Sequence, residues 1–291
     1  MNLKNRLLFK LTEKLILRNQ KFKGIHNGES CYVFGNAKSL KYYDLSLFND
    51  RVSIGCNQLY LHKDFSEIKM NYYYDGDPFN FYPFLRDPYT RKIVRHVLGD
   101  LYKKKMRANT DVKYFLNVSD YPNMRGKNIF YAHHFGEQFG NYRNCSLDGV
   151  FSANQSALSG MVGMAIYLGF KDITFVGCDA LLRPRSSCHF YEYGMMDAIN
   201  DDKVGSLDVI TAAQEFVDLR VVSPNDNHQG DLIPYIQYEE LTGKTPKYKE
   251  NYEIISDYDL DILSKCSYPY LIKKSEFEDY NQLQSKIFHD S

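Results

Sequence analysis

NQSALSGMVGMAIYLGFKDITFVGCD, residues 154–179, joins a helical pattern to a strand pattern in one continuous run. Residues 156–168 predict a helix that ends at Gly169, and residues 172–176 predict a buried strand. The strand runs into Gly177 and Asp179. A helix that leads into a buried strand is typical of α/β proteins, so this stretch predicts that fold class.

The rest of the chain repeats this alternation from residue 24 onward. Predicted strands span residues 31–34, 52–56, 70–74, 112–118, 128–131, 172–176 and 219–222, and further helices span 91–105 and 207–216. Strands separated by helices predict a mostly parallel sheet flanked by helices. We divide the chain into a helix at 1–23, a main domain at 24–241 with a small lid at 180–206, and a helical appendage at 242–291.

The composition excludes several classes of protein. The 291 residues hold 36 Lys and Arg against 36 Asp and Glu, which removes the basic field expected of a nucleic-acid binder. The six cysteines form no CxxC pair, so neither a zinc ribbon nor a disulfide framework is predicted. We recognise neither a run of about 18 apolar residues nor a signal peptide. We therefore expect a cytoplasmic protein that binds no nucleic acid.

The first 23 residues are strongly basic. They hold seven Lys or Arg residues against Glu13 alone, a local net charge of +6. Leucines at three- and four-residue steps have the spacing of one helix face: Leu3, Leu7, Leu8, Leu11 and Leu15. Such a helix either lies in an anionic lipid interface or docks on its own domain. The first alternative predicts peripheral association with the inner membrane.

Amide side chains follow the first two predicted strands. Ligands of open parallel sheets collect outside the carboxyl ends of the strands, so the residues after each strand are candidates for binding. Asn36 follows the first strand, and Asn57 and Gln58 follow the second. Amides can read a base or a sugar through hydrogen bonds, although they are also common turn residues. These three amides are candidate substrate-binding residues.

Further candidates lie around the quoted stretch and after the last strand. They are Gln155, Ser156, Ser159 and Gly160 at the helix start, Gly177 and Asp179 after the strand, and Asn225 after the strand at 219–222. Hydroxyls and unpaired N–H groups at a helix start favour an anion. A simple N-cap explains Ser156 as well.

These segments resemble, in the same order, segments of the bacterial sialyltransferases of Campylobacter type. The anchors, scattered over residues 30–230, are Gly35-Asn36 with Leu40, Cys56-Asn57-Gln58, Ser159-Gly160, Gly169-Phe170-Lys171-Asp172-Ile173, Gly177-Cys178-Asp179 and Ser223-Pro224-Asn225. The same anchors are similar to the wider MptE-like and Maf-type group of Rossmann-like proteins. That group includes flagellin glycosylation proteins and pterin diphosphokinases.

The resemblance implies a Rossmann-like catalytic domain at 24–241 that binds a nucleotide sugar. It implies an inverting transfer of a sugar from a CMP-activated donor to a sugar hydroxyl. Asn36 and Asn57 match family positions that hold the donor phosphate and nucleotide, and Ser159 matches a hydroxyl on the donor. Gly177 and Asp179 match positions beside the cytidine.

The chain departs from the family at its catalytic end. The family's histidine base has no counterpart in Lys203-Val204-Gly205-Ser206. Two family tyrosines fall near residues 181–182 and 188–189, where neither is clearly preserved. This departure puts sialic acid itself in question more than it does a transferase.

The stretch after Asp179 holds side chains that can replace the missing groups. An inverting transfer needs a general base near the acceptor hydroxyl and donors on the departing phosphate. Both kinds of group occur in Arg183, Arg185, His189, Tyr191 and Tyr193. A lone histidine among aromatics is also commonly a packed residue. We take His189 as the first candidate for the base, His228 as the second and His133-His134 as the third.

Asp75-Gly76-Asp77 follows the strand at 70–74 and has the look of a DxD metal motif. Carboxylates at that spacing can hold Mg²⁺ or Mn²⁺ against a diphosphate, although the triplet is also typical of a turn. We assign Asp75 to substrate binding. No metal ligand and no cofactor is assigned unless Asp75 and Asp77 act as this pair.

Three hypotheses follow from these residues. The first is an inverting glycosyltransferase in surface-glycan synthesis, lipopolysaccharide or capsule, that moves a sialic-acid-like sugar to a glycan or glycolipid acceptor. The second is a pterin diphosphokinase-type phosphotransferase that uses ATP and Mg²⁺. The third is a non-catalytic nucleotide-sugar-binding protein. A homo-oligomer is compatible with each of them.

Overall fold

A parallel sheet forms the centre of the molecule. A computed structural model describes residues 3–77, 81, 92–134, 142–153, 156–183, 185, 189–191, 207–225, 229–230 and 232–264. The strands are β1 Ser30–Phe34, β2 Val52–Cys56, β3 Met70–Asp75, β4 Lys113–Asn117, β5 Ile129–Ala132, β6 Asp172–Val176, β7 Leu182–Arg183, β8 Asp218–Ser223, β9 Gln229–Gly230 and β10 Tyr235–Gln237. Within the described residues, eight of them form one sheet, and β7 pairs with β9 in an antiparallel ribbon.

The strand order of the large sheet is β10-β8-β6-β1-β2-β3-β4-β5, and every pairing in it is parallel. The chain moves from β1 towards β5 on one side and from β6 towards β10 on the other. Neighbouring β1 and β6 therefore mark the point where the order reverses, which is where ligands bind in open α/β sheets.

The predicted α/β fold is confirmed. Each of the seven predicted strands is present, and its ends lie within one residue of the prediction. The sequence did not predict β10 or the β7–β9 ribbon, because two or three residues are too few to show an alternating pattern.

Helices cover both faces of the sheet. They are α1 Leu3–Ile16, α2 Lys92–Ala108, α3 Ala157–Leu168, α4 Leu207–Ala212, α5 Tyr238–Thr242, α6 Asn251–Ile254 and α7 Asp257–Ser264. The helix predicted at 207–216 ends at Ala212, and a 3₁₀ helix, Ala213–Glu215, continues it. The helix predicted at 91–105 extends to Ala108, while residue 91 lies outside the described residues.

Successive residues of a strand point to opposite faces of the sheet, and each face carries its own hydrophobic core. Cys31 and Val33 point to the face covered by α3 and α4, and Tyr32 and Phe34 point to the other face. The core that contains Tyr32 and Phe34 also includes Leu101 and Met106 of α2, Ile254 of α6 and Leu263 of α7. The described part of the stretch from 242 onward thus packs against the sheet. An ion pair between Lys105 and Asp259, at 2.9 Å, joins α2 to α7.

The N-terminal helix α1 docks on β5, the edge strand of the sheet. The Phe9 ring meets the His133 ring edge to face at 5.2 Å, and Ile16 is fully buried. Beyond α1, the Asn19 amide donates to the carbonyl oxygens of Tyr131 and Leu147 at 2.8 and 2.6 Å. This docking was one of the two alternatives that the basic helix left open.

The spacing of the leucines in α1 predicted one shared face, but the leucines whose side chains the structure describes lie on two. Leu8 and Leu15 are half-buried towards the domain, whereas Leu7 and Leu11 are 61% and 73% exposed. Adjacent helix residues point about 100° apart, so Leu7 and Leu8 fall on different sides. No described helix is long and apolar enough to cross a membrane.

Candidate functional site

A cavity of about 260 Å³ opens at the carboxyl ends of β1, β2 and β6. Its wall is formed by the turns after these strands, the start of α3 and one residue of the predicted lid: Gly35, Asn36, Ala37, Cys56, Asn57, Ala157, Leu158, Met161, Gly177, Cys178, Asp179, Ala180 and His189. The cavity thus brings together five of the predicted site residues, which are Asn36, Asn57, Gly177, Asp179 and His189.

Two glycine turns touch at the floor of the cavity. Gly35 N–H donates to the carbonyl of Val176 at 2.9 Å, and Ala37 N–H donates to the carbonyl of Gly177 at 3.0 Å. A Cβ atom on Gly35 would overlap that Gly177 oxygen, and Gly177 itself has a φ of +68°. Both turns therefore require glycine, and their contact fixes the loop after β1 against the loop after β6.

Asn36 is buried with one half of its amide unused. Its Nδ2 donates to the carbonyl of Cys56 at 3.1 Å, which ties the turn after β1 to the end of β2. Its Oδ1 is buried and has no hydrogen-bond partner among the described residues. A buried oxygen without a partner costs about 1–3 kcal/mol, so a ligand donor at this point would be favoured.

Asn57 adopts a left-handed backbone conformation, with a φ of +49°. Its carbonyl accepts a hydrogen bond from the Tyr73 hydroxyl at 2.8 Å, which holds the turn in place. Asparagine tolerates this conformation better than most residues. The strained turn places Asn57 on the cavity wall, whereas the adjacent Gln58 is half-buried in the 3₁₀ helix Asn57–Leu61 and does not line the cavity.

Asp179 is fully buried beside the cavity. Its Oδ2 accepts from Ser39 N–H at 2.9 Å, and its Oδ1 has no hydrogen-bond partner among the described residues. Burial raises the pKa of Asp179 to about 6, although hydrogen bonds from Ser39 oppose the rise. The carboxylate therefore offers a second buried acceptor to a ligand.

The start of α3 forms the opposite wall. Ser156 and Ser159 close a capping box: Ser159 N–H donates to Ser156 Oγ at 3.1 Å, and Ser156 N–H donates to Ser159 Oγ at 2.8 Å. Ser159 is fully buried, so its hydroxyl belongs to the cap and not to the cavity wall. Ala157 and Leu158 of the first helical turn line the cavity instead. The backbone N–H groups of a first turn have no acceptor within the helix, so they are available to a ligand.

Gly160, also predicted as a site residue, is not on the cavity wall. It packs directly on the Tyr74 ring, where a Cβ atom would overlap it. Gln155 lies outside the described residues.

The predicted lid contributes residues 189–191. Phe190 N–H donates to the carbonyl of Asn36 at 2.8 Å, which ties this segment to the turn after β1. His189 lines the cavity, and its ring stacks on the Tyr191 ring with centroids 5.0 Å apart. Arg183 is exposed on β7, and the buried Arg185 donates to the carbonyl of Ala180 at 2.9 Å. Neither arginine lines the cavity.

The other predicted residues lie elsewhere. His133 and His134 follow β5, and burial lowers their pKa values to about 4 and about 3. His134 Nδ1 accepts from the Asn117 amide at 3.0 Å, and its Nε2 lies 3.1 Å from the Tyr74 hydroxyl. Both histidines are thus neutral at physiological pH, and His134 belongs to a buried network at the ends of β3, β4 and β5.

Asp75 and Asp77 form a turn after β3. Asp75 is buried, Asp77 is exposed, and Asp77 N–H donates to Asp75 Oδ1 at 3.2 Å. Among the described residues, no group of three or more His, Cys, Asp or Glu side chains has the arrangement of a metal site. Asn225 is exposed, and its carbonyl accepts from Ser223 Oγ at 2.7 Å. His228 and Tyr193 lie outside the described residues.

A larger groove of about 480 Å³ lies at the other end of the sheet. It is lined by the first residues of β8 and β10, including Arg220 and Tyr235. Because ligands of parallel sheets bind at the carboxyl ends of the strands, we place the candidate site in the smaller cavity.

A comparison with solved structures finds chains whose backbones are partly similar to this one. The sialyltransferase CstII from Campylobacter jejuni, in complex with the substrate analogue cytidine-5′-monophosphate, is 18% identical, with a TM-score of 0.43 over 82% of this chain and 99% of that one. The MAf glycosyltransferase from Magnetospirillum magneticum AMB-1 is 11% identical, with a TM-score of 0.42 over 88% of this chain and 42% of that one. No family model and no curated protein matches the sequence. The function proposed for this chain rests on the residues of its cavity together with the ordered sequence anchors.

Proposed function

We propose that this chain is a glycosyltransferase whose cavity holds the nucleoside monophosphate part of an activated sugar. The observation that carries the proposal is that Asn36 and Asp179 line one cavity with the start of α3, and that each has a buried oxygen, Oδ1, without a hydrogen-bond partner among the described residues. Ribose hydroxyls and an exocyclic amine supply donors for such acceptors. The start of a helix favours the phosphate.

The charges around the cavity favour one phosphate over two or three. Among the described residues of its wall, Asp179 is the one carboxylic acid and His189 the one basic side chain. Neither Lys nor Arg is present among them. Sites for diphosphates and triphosphates commonly add a lysine, an arginine or a metal ion. The apolar part of the wall, with Met161 and Leu158, suits the face of a base. Together with the ordered sequence anchors, these features support a CMP-activated, sialic-acid-like donor.

His189 is our candidate for the base of an inverting transfer. The acceptor hydroxyl oxygen attacks the anomeric carbon, the bond from that carbon to the phosphate oxygen breaks, and the phosphate leaves with the electron pair. The hydroxyl proton passes to the His189 imidazole, which lines the cavity. Arg183, Arg185 and the stacked Tyr191 belong to the same predicted lid and are the candidate donors to the departing phosphate, although neither arginine lines the cavity.

The outer face of α1 supports a place at the inner membrane. Arg6, Lys10 and Lys14 are exposed beside Leu7 and Leu11. Basic and apolar side chains on one exposed helix face bind anionic lipid interfaces. A lipid-linked acceptor, as in the synthesis of a surface glycan, would then be within reach of the enzyme.

A nucleotide panel tests the proposal. Calorimetry with CMP, UDP, GDP and ATP, each with and without Mg²⁺, should show binding of CMP that is independent of Mg²⁺. CMP at about 100 times its dissociation constant should stabilise the fold by about 2.7 kcal/mol. Preference for ATP with Mg²⁺ would identify a pterin diphosphokinase-type phosphotransferase instead. Binding of CMP without turnover of any CMP-sugar would identify a non-catalytic nucleotide-sugar-binding protein.

Asn57→Gly is the sharpest variant for this panel. Glycine adopts a φ of +49° without strain, so the variant should melt no lower than the parent protein. It lacks the amide on the cavity wall, so the stabilisation by CMP should be largely lost. Gln58→Ala, at the neighbouring position outside the wall, is the matched control. Equal stabilisation of Asn57→Gly and the parent protein would rule out this cavity.

A further inference from the structure

Residues 189–191 are held by hydrogen bonds from two sides. On the cavity side, Phe190 N–H donates to the carbonyl of Asn36 at 2.8 Å. On the other side, the amide of Asn251 donates from Nδ2 to the carbonyl of Tyr191, also at 2.8 Å. The first contact comes from the turn after β1, and the second comes from the start of α6.

Both halves of the Asn251 amide are used. Asn251 is 2% exposed, and its Oδ1 accepts from Lys41 Nζ at 2.6 Å. A lysine ammonium only donates and a backbone carbonyl only accepts, so these two partners fix which way the amide faces. Asn251 therefore connects the loop after β1 to residues 189–191 through one rigid group.

The backbone on either side fixes the place of Asn251 independently of the lid. Lys247 N–H donates to the carbonyl of Tyr42 at 3.0 Å, and Lys249 N–H donates to the carbonyl of Lys41 at 2.8 Å. Beyond Asn251, Ile255 is fully buried and bridges to His62. Residues 247–255 thus form a fixed wall behind the segment that carries His189.

We propose that Asn251 is a positioning residue, which holds residues 189–191 so that His189 stays on the cavity wall. Asn251 then belongs to the site, although it follows Tyr191 by 60 positions in the sequence. The inference relies on the proposed function for its activity measurement alone, because the backbone contact is measurable without a ligand.

Asn251→Asp tests the contact with no change in side-chain size. A carboxylate still accepts from Lys41, but it replaces the donor to Tyr191 with an oxygen that repels the carbonyl. Hydrogen–deuterium exchange of a peptide that contains residues 189–191 should become at least about tenfold faster. Tyr252→Ala is the matched control, since that side chain is 64% exposed and one position along. An unchanged exchange rate in the folded Asn251→Asp protein would overturn the proposal.

Two further measurements separate positioning from a general loss of structure. In an assay of CMP-sugar turnover, Asn251→Asp should lower kcat by about 10–100-fold and raise KM much less, because displacement of a catalytic group by about 1 Å costs that much in rate. Asn251→Gln, which keeps the amide, should recover part of kcat. An Asn251→Asp enzyme with full kcat would contradict the proposal. If the parent protein binds no nucleotide, the proposed function fails, and the exchange measurement still decides the role of Asn251.

Should Asn251→Asp not fold, native-state exchange of the parent protein in low denaturant gives the same answer. Any opening that exposes 247–255 should then expose 189–191 as well, because Asn251 is carried by 247–255. Protection of 189–191 that survives the opening of 247–255 would overturn the proposal.

Discussion

Asp179 is an acidic side chain in a mostly apolar wall, and its burial decides when it is ionised. Water is excluded from the carboxyl group, which raises its pKa to about 6, while Ser39 holds one oxygen. At pH 7 most molecules carry the carboxylate, whose free oxygen is the acceptor that we assign to a ligand donor. Protonation replaces this acceptor with an O–H group and changes what the cavity binds.

We expect the affinity for a pyrimidine nucleoside to fall as the pH drops below about 6. At pH 5 about a tenth of Asp179 remains ionised, so cytidine should bind roughly tenfold more weakly than at pH 7.5. Cytidine is the better probe, because the phosphate of CMP titrates near pH 6 itself. Calorimetry across this range measures the effect. Asp179→Asn should remove the pH dependence, and a parent protein with constant affinity would refute the assignment.

A substitution of His189 tests its proposed role as the base. Loss of a general base typically costs about 10²–10⁴ in rate, so His189→Ala should lower CMP-sugar turnover at least a hundredfold. Its stacking on Tyr191 contributes about 0.5–1.5 kcal/mol, so the melting temperature should fall only slightly. His228→Ala is the matched rival. Full activity in His189→Ala together with inactive His228→Ala would transfer the role of base to His228.

The turns after β1, β2 and β6 converge with the start of α3 because every strand of the large sheet is parallel. Their carboxyl ends reach one edge, and the close approach of Gly35 and Gly177 fixes two of the turns together. The helix α1 lies at the far edge of this sheet, on β5. Its inner face is covered by the domain, whereas Leu7 and Leu11 on its outer face remain exposed among lysines.

We predict that this outer face binds anionic membranes. Replacing Leu7 and Leu11 together by serine should weaken binding to vesicles of equal parts phosphatidylcholine and phosphatidylglycerol by at least about tenfold, because both side chains leave the lipid. Added salt should weaken binding of the parent protein, since the Debye length falls to about 3 Å at 1 M. Sedimentation with vesicles measures both effects. Tyr235→Ser, at the opposite edge of the sheet, is the control. Equal binding by the double variant would end the membrane proposal.

Local sequence patterns predicted the sheet of the molecule but not every contact around the candidate site. The strands and α3 have apolar runs of the right period, and Asn36, Asn57 and Asp179 follow strand ends, so parallel pairing alone brings them together. Ser159 was expected to meet the donor, yet the sequence already held the signal for its capping box in the spacing of two serines. Asn251 had no local signal, because its partners Lys41 and Tyr191 are distant in sequence.

Buried neutral histidines should make the stability of the whole molecule depend on acid. Burial lowers the pKa of His62 to about 4 and of His134 to about 3, against 6.5 for a free side chain. The unfolded chain therefore binds more protons than the folded one below pH 6.5. Burial of the neutral histidines contributes its full stabilisation above pH 6.5, and this stabilisation is lost as the pH falls towards their pKa values in the folded protein. Each such histidine contributes a slope of up to about 1.4 kcal/mol per pH unit.

Asp179 acts in the opposite direction between about pH 4 and 6, because its folded pKa is raised, so it offsets one histidine in that window. The free energy of unfolding from urea titrations should still fall between pH 6.5 and 5. His134→Gln keeps an acceptor for Asn117 and a donor for Tyr74 without a titrating ring. The free energy of unfolding of this variant should fall less steeply with falling pH than that of the parent protein, by up to about 1.4 kcal/mol per pH unit, which corresponds to one proton. An identical slope in both proteins would show that His134 is not buried in its neutral form.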